Sequence, residues 1–554
     1  MSEADNYNIA AHLPRMAAQQ PATAAVHFPY KHVRHKQALY QSLTYAELDQ
    51  QSNRIAVGLE SIGIRRGVRT VLMVKPSLEF FALTFALFKI GAVPVLIDPG
   101  MGIKNLKVCL KEAAPEAFIA VPKAQLARLL LGWGEESLKI ILTVGTRLFW
   151  GGTTLTKLLR PISVTQHYES AHVAAAETAA ILFTSGSTGV PKGAVYSHGN
   201  FVAQVDALKE VYQIIPGEID LPTFPLFALF APALGMTSVI PEMDFTRPGS
   251  VDAEKIITAI KRFNVTTMFG SPALIRQLAL YGEKNGTRLP SLKRAISAGA
   301  PVPAVVLKQF VEMLNPGVEV FTPYGATEAL PVCSIGSQVI LSETHLATDQ
   351  GRGVCVGFPV PGIQLEIIRI DDQQISSWQD DLLVVDGEIG EIVVRGGQVT
   401  RSYYNRPEST RLAKINCTGG DFFHRMGDLG YRDEQGRIWF CGRKVQRVTT
   451  IDETLFTIPC EAVFNTHPQV YRSALVGIGA VNIQQPVLCV ELEKQLQQQE
   501  QKILLDELMQ IGQANPLTKN IDIFLIHPQF PVDIRHNAKI FREKLAIWAT
   551  EQLK

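Results

Sequence analysis

The sequence predicts an α/β protein: a large N-terminal domain with α/β layers over residues 1–445, followed by a small α+β C-terminal domain over 446–554. Three observations carry this. The chain has 554 residues, several times the ~100–200 of a usual domain. Short apolar runs alternate with stretches of helical periodicity through most of its length, the rhythm of α/β layers with partly parallel sheets. After Arg443 a separate unit begins, closing on a helical pattern.

The first clear unit pairs "TVLMVK" (70–75), a strand, with the helical "SLEFFALTFALFKIG" and a second strand, "AVPVLID" (92–98). "ETAAILF" reads as a strand that enters the loop "TSGSTGVPKG". From there "AVYSHGNFVAQVDALKEVY" runs into a helix with Phe201, Val205, Leu208 and Val211 on one face. "TTMFG" (266–270) precedes the helix "SPALIRQLALYGEKNG", and "RAISAG" (294–299) precedes "PVPAVVLKQFVEML". The texture changes over 387–440, where "GEIGEIVVRGG" and "GYRDEQGRIWFCGR" read as strands joined by Gly-containing turns. The boundary falls near Gln446. The closing helix is "NAKIFREKLAIWATEQL", whose apolar residues Ile540, Phe541, Leu545, Trp548 and Leu553 form one face.

Composition excludes several classes of function. Hydrophobic residues are 46% and charged residues 19%, with net charge +1, so neither nucleic acid nor an anionic membrane is expected as main partner. Seven cysteines are scattered without CxxC spacing, which argues against a zinc cluster or redox pair and fits a reducing, cytoplasmic setting. The N-terminal "MSEADNYNIAAHLPRM" has no apolar core and is not a secretory signal. "LPTFPLFALFAPALGMTSVIP" (221–241) is uncharged, but Pro222, Pro225, Pro232 and Pro241 would break a spanning helix, so no transmembrane segment is expected. This stretch reads as buried core or the wall of a substrate tunnel.

The loop after the 177–183 strand is suited to phosphate. Gly186, Gly189 and Gly193 let backbone approach an anion. Thr184, Ser185, Ser187 and Thr188 add hydroxyl donors, and Lys192 adds a charge. A Walker A loop needs Gly-Lys-[Ser/Thr] in a row, and here Lys192 stands between Pro191 and Gly193. Taken alone, the string would be a Gly/Ser surface loop.

It does not stand alone. "SAGAPVP" (297–303), "YGATE" (324–328), "GDLGYRDEQGRIWFCGR" (427–443) and "RHNAKIFREKL" (535–545) follow in order. Together with the loop they resemble the adenylate-forming, or AMP-binding, superfamily over most of the chain. The resemblance implies ATP and Mg2+. It makes Thr184, Ser185, Gly186, Ser187, Thr188, Gly189 and Lys192 the phosphate loop, and Gly299, Ala300 and Pro301 the adenine-facing turn. Tyr324, with Gly325 and Thr327, would offer a flat face to adenine. Glu328 is a hard oxygen ligand for Mg2+. Asp428 can accept two ribose hydroxyls, and Arg443 can fork onto ribose or phosphate oxygens. Lys539 is the C-terminal lysine, so Lys539, Glu328 and Thr184 are the catalytic candidates. The small domain would rotate to bring Lys539 in and withdraw it.

The chain also departs from the wider family. Ala228 stands where many acyl-CoA synthetases carry histidine, Gln446 occupies the hinge, and His536-Asn537-Ala538 precedes Lys539. Longer strings, among them "GRKVQRV", "TLFTIPCEAVFNTHP" and "FPVDIRHNAKIFREKLA", closely resemble the olefin-pathway β-lactone synthetases. That resemblance implies a small-molecule carboxylic acid with long alkyl chains, 2-alkyl-branched and bearing a 3-hydroxyl. Adenylation would precede displacement of AMP by the hydroxyl, giving a β-lactone. Phe227, Ala228, Leu229 and Met236 would line the acyl pocket, and other olefin-pathway enzymes would be partners. His198 and His536 are candidate bases for ring closure only, each more readily read as a solvent-facing or hydrogen-bonded structural histidine. The alternatives are a long-chain acyl-CoA synthetase or fatty acyl-AMP ligase, and a non-catalytic binding subunit.

Overall fold

A computed structural model of the chain describes residues 6–32, 38–97, 101–184, 191–224, 227–532 and 540–554. The large domain holds three sheets. One orders its strands Ser402–Tyr403, Lys192–Ser197, Thr178–Thr184, Val93–Ile97, Arg69–Met73, Ala117–Ala120, Ile140–Thr143 and Thr153–Thr154. It is parallel from Thr178–Thr184 outward and antiparallel at its other edge. A second sheet runs Glu319–Phe321, Arg294–Ile296, Thr267–Phe269, Ile219–Pro222, Thr237–Val239, Ala24–His32 and Ala38–Thr44. All but its last pairing are parallel. The third is antiparallel and takes its strands from Tyr324–Ala326 through Ile438–Arg443.

The helix Leu78–Lys89 starts at Ser77, whose hydroxyl accepts from Phe80 N. It is apolar on every side and buried from Phe80 to Lys89, the signature of a helix packed all round. Against it lies Tyr45–Ser61, opened by a Thr44–Glu47 capping box. Lys89 ends the buried helix with its ammonium on Asp49 Oδ1 at 2.6 Å and Asn53 Oδ1 at 2.5 Å. A lysine so placed needs those partners, because an isolated buried charge is costly.

The small domain carries the sheet Val470–Ile478, Gln485–Leu492 and Ile523–Ile526, with helices Thr457–Phe464, Gln498–Ala514 and Arg542–Gln552. Its core residues, such as Phe464, Leu475, Leu488, Leu504 and Leu508, cluster apart from those of the large domain.

Three expectations are corrected. The stretch after the phosphate loop is a strand, Lys192–Ser197, before the helix His198–Tyr212 begins. The loop therefore joins two antiparallel strands, since β-branched and aromatic residues at 195 and 196 extend the chain along Thr178–Thr184. The antiparallel region starts at Tyr324, well before 387, with the three-residue strand Tyr324–Ala326 and the Pro-containing, mostly apolar Ala329–Ser334, neither of which shows a period of two. The last helix starts at Arg542: Ile540 is drawn into a bridge with Val532, and Phe541 N donates to Pro531 O. Among the described residues no helix is long and apolar enough to cross a membrane. The 221–241 stretch divides into strand ends, the turn Phe227–Leu229 and the four-residue helix Phe230–Ala233.

Candidate active site

Two adjacent parallel strands, Arg294–Ile296 and Glu319–Phe321, end side by side with Ile296 opposite Phe321. In such sheets ligands bind beyond the C-terminal strand ends. The first strand leads into Gly299, Ala300 and Pro301, a largely exposed turn. The second leads into Tyr324–Glu328. Gly325 is required there: a Cβ would stand 2.6 Å from Ala329 O.

The hairpin Phe422–Arg432 and Ile438–Arg443 supplies the next pair. Its register places Asp428 directly opposite Arg443, and Nη1 of Arg443 lies 3.0 Å from Asp428 Oδ1. Tyr324 Oη donates to Asp428 Oδ2 at 2.6 Å. Asp428 is only 2% exposed. Its charge, ahead of all other causes, raises the Arg443 guanidinium further above its ordinary value. Burial, then Asp428, pushes the Tyr324 hydroxyl well above the usual phenol range. Tyr324, Asp428 and Arg443 thus form one hydrogen-bonded set, 104 residues apart at its widest hydrogen bond. The Tyr324 ring also faces Phe440 at 5.9 Å between centroids.

A second set surrounds Glu328. Tyr403 Oη donates to Glu328 Oε1 at 2.7 Å. Thr400 donates both its N–H (2.8 Å) and its hydroxyl (3.2 Å) to Glu328 O. Lys414 Nζ donates to Thr400 O, and Tyr196 Oη to Thr327 O. The Lys192 ammonium sits 5.1 Å from the Tyr403 ring centroid, a cation–π distance. Lys192 lies opposite Thr184 at the mouth of its hairpin. Burial lowers the Lys414 ammonium to about 7 against the opposing pull of Glu328, and burial drives its strand neighbour His424 well below the ordinary imidazole value.

The sequence-derived candidates therefore divide. Thr184, Lys192, Gly299, Ala300, Pro301, Tyr324, Gly325, Thr327, Glu328, Asp428 and Arg443 are placed as described. Ser185, Gly186, Ser187, Thr188, Gly189, His536 and Lys539 lie outside the described residues. Of the acyl candidates, Leu229 borders an apolar cavity of about 70 Å3 walled also by Phe85, Phe88, Phe201, Phe230 and Ala233. Phe227 packs on Phe269 at 4.5 Å, while Ala228 and Met236 are buried in the core, where Met236 O accepts from Tyr45 Oη. His198 is fully buried, its Nδ1 accepting from Ile9 N, and burial lowers it to about 4. Those are the marks of a structural histidine.

Tyr403, Lys414 and Tyr196 were not singled out from sequence. "SYYNRPESTRLAKI" has no periodic or glycine signal, and only strand pairing (Tyr403 opposite Ala194, Lys414 opposite His424) brings these side chains to Glu328.

Residues 13–404 match the model of the AMP-binding enzyme family. The chain belongs to that family. It is 51% identical over 550 residues to the olefin β-lactone synthetase of Xanthomonas campestris pv. campestris, covering 98% of each chain. It is 50% identical over 559 residues to that of Stenotrophomonas maltophilia, covering 99% of each. Relatives named as CoA ligases match at 25–29% identity over 78–81% of the chain. Among solved structures, the anthranilate CoA ligase AuaEII in complex with anthranoyl-AMP superimposes with a TM-score of 0.79 at 19% identity, covering 100% of both chains. That likeness is one of fold, a large α/β domain with a smaller C-terminal one. The family match ends at Tyr404, so Asp428 and Arg443 fall in the part of the chain covered by the full-length relatives.

Proposed function

We propose that this AMP-binding enzyme uses ATP to adenylate a long-chain 2-alkyl-3-hydroxy carboxylic acid and then closes the acyl adenylate to a β-lactone. The observation that carries the proposal is the half-identical, full-length likeness to two olefin β-lactone synthetases, set against the much weaker likeness to CoA ligases.

In the first step a carboxylate oxygen attacks the α-phosphorus of ATP. A new P–O bond forms, the bond to the bridging oxygen breaks, and pyrophosphate leaves. The obstacle is electrostatic, an anion approaching a polyanion. Lys192, the 184–189 loop and Lys539 would meet it with positive charge and donors aimed at the phosphates. Tyr324 would carry adenine, with Asp428 and Arg443 on ribose. In the second step the substrate's own 3-hydroxyl oxygen attacks the acyl carbon, the C–O bond to AMP breaks, and the hydroxyl proton passes to a base. A tethered nucleophile needs no second capture, and its positioning can contribute ~7–11 kcal/mol. The buried His198 is withdrawn as that base; His536 stands as the remaining candidate.

The residues suit Mg2+. Among the described residues no group of three or more His, Cys, Asp or Glu could cage an ion. Glu328 instead offers one half-buried carboxylate on Tyr403, whose ring faces Lys192, the pattern for a cation shared with substrate phosphates. Bound there with the nucleotide, Mg2+ would neutralise phosphate charge.

The acid's alkyl chains would lie along the 227–236 wall, beside the cavity at Leu229. We assign residues 1–445 to the AMP-binding domain and 446–554 to a mobile domain that carries Lys539. Enzymes that make the branched hydroxy acid by condensation and reduction, and one that decarboxylates the lactone, are the expected associates.

The deciding assay supplies ATP, Mg2+ and a 2-alkyl-3-hydroxy acid without CoA. AMP and lactone should both appear; a strict CoA requirement with plain fatty acids would overturn the proposal. Lys539→Ala should cut pyrophosphate release by about 100- to 1,000-fold, and near-normal release would reject the lysine's role.

A further inference from the structure

Segment Thr400–Tyr404 touches both halves of the Glu328 set. On one side it grips Glu328 three times: Thr400 N–H and hydroxyl on the main-chain carbonyl, Tyr403 hydroxyl on carboxylate Oε1. On the other side it is the edge strand beside Lys192–Ser197, with Tyr403 opposite Ala194 and Tyr404 N donating to Gly193 O at 2.7 Å. The Tyr403 ring lies under the Lys192 ammonium. Beneath the segment, Lys414 anchors Thr400 O from a buried position.

We propose that Tyr403 is a positioning residue: its hydroxyl fixes the Glu328 carboxylate and its ring fixes the Lys192 ammonium, so that the metal ligand and the phosphate-facing cation are held as one unit. The proposal deepens the function above and rests on Glu328 being the Mg2+ ligand. With Oε1 engaged by Tyr403, Oε2 is the oxygen presented to the metal. A glutamate already locked in one rotamer loses no further rotamer freedom when the ion arrives.

The test uses the full-length protein saturated with α,β-methylene-ATP, whose α–β bridge cannot be cleaved so that it cannot donate AMP, and follows Mn2+ binding by the loss of its free-ion electron paramagnetic resonance signal. Tyr403→Phe keeps the ring and removes the hydroxyl. It should weaken Mn2+ binding about tenfold, as expected for one hydrogen bond to a charged group, while binding of the nucleotide analogue without metal stays unchanged. Thr400→Val, which spares the ring, should weaken Mn2+ binding in the same direction by about threefold. Tyr403→Leu removes the ring as well and should also weaken metal-free analogue binding, about threefold, through Lys192. Mn2+ affinity within twofold of the parent for Tyr403→Phe overturns the proposal, whatever the melting temperature of the variant and whatever Thr400→Val does. Glu328→Gln is the separate control. If it binds Mn2+ as the parent does, the assignment of Glu328 itself fails.

Discussion

Asp428 has no contact with bulk water to speak of, yet it holds a phenol and a guanidinium at once. Those partners are donors, and a ribose would bring more donors to the same carboxylate. Asp428→Asn keeps the shape and removes the charge. Hydrogen bonds to a charged group contribute ~1.5–3 kcal/mol, so the KM for ATP should rise roughly tenfold or more, read from pyrophosphate release against ATP concentration. At this scale much was legible. Tyr324, Glu328, Asp428 and Arg443 could be named because each sits in a motif with turn glycines and a fixed order. Tyr403 and Lys414 could not, because no periodic or glycine signal marks either, and Tyr403 reaches Glu328 only through a strand pairing with Ala194, some two hundred residues away in the chain.

The hairpin that carries Asp428 and Arg443 depends on the glycine between Cys441 and Arg443. Gly442 has φ +123°, and a Cβ there would meet Thr457 Oγ1 at 2.4 Å. Thr457 opens the first helix of the small domain. Gly442→Ala should therefore cost about 1–3 kcal/mol of stability and move Arg443 off Asp428, seen as a lower urea midpoint together with a raised KM for ATP. Helix existence was readable from apolar periodicity, as Pro272–Asn285 and Ala304–Val311 show. Short strands were readable where a short run abutted a helical pattern, as at Thr267–Phe269 and Arg294–Ile296. Lys192–Ser197 carries no strand signal of its own, because its three apolar residues, Ala194, Val195 and Tyr196, are contiguous and fit either period.

Across the whole molecule, His198 ties the N-terminal segment to the large domain's core through Ile9 N, and His12 lies on the N-terminal helix His12–Gln19. Burial lowers His198 and His12 from 6.5 to about 4. Between those values the unfolded chain binds more protons than the folded one, so stability rises with pH and is lost as pH falls from about 6.5 to about 4. For the fully buried His198 the loss is on the order of 3 kcal/mol. Urea unfolding from pH 7 to 4 should show this slope, and His198→Asn should flatten it. The small domain meets the large one partly through Arg276–Glu493 and Arg447–Asp372, ion pairs with solvent-exposed members. Exposed pairs contribute only ~0–1 kcal/mol each, so rotation about 443–448 faces little resistance from them. Protease cutting at 443–450 should change when ATP and the acid are added, and an unchanged pattern would remove the support for a mobile domain. Domain count and α/β class were legible from length and rhythm, but sheet order was not, since it is fixed by contacts distant in sequence.

Because the chain leaves the glycine-rich turn as a strand, Lys192 stands on the sheet itself and not on the turn. A phosphate met by Lys192 would be met by a point charge, so ATP binding should weaken as ionic strength rises.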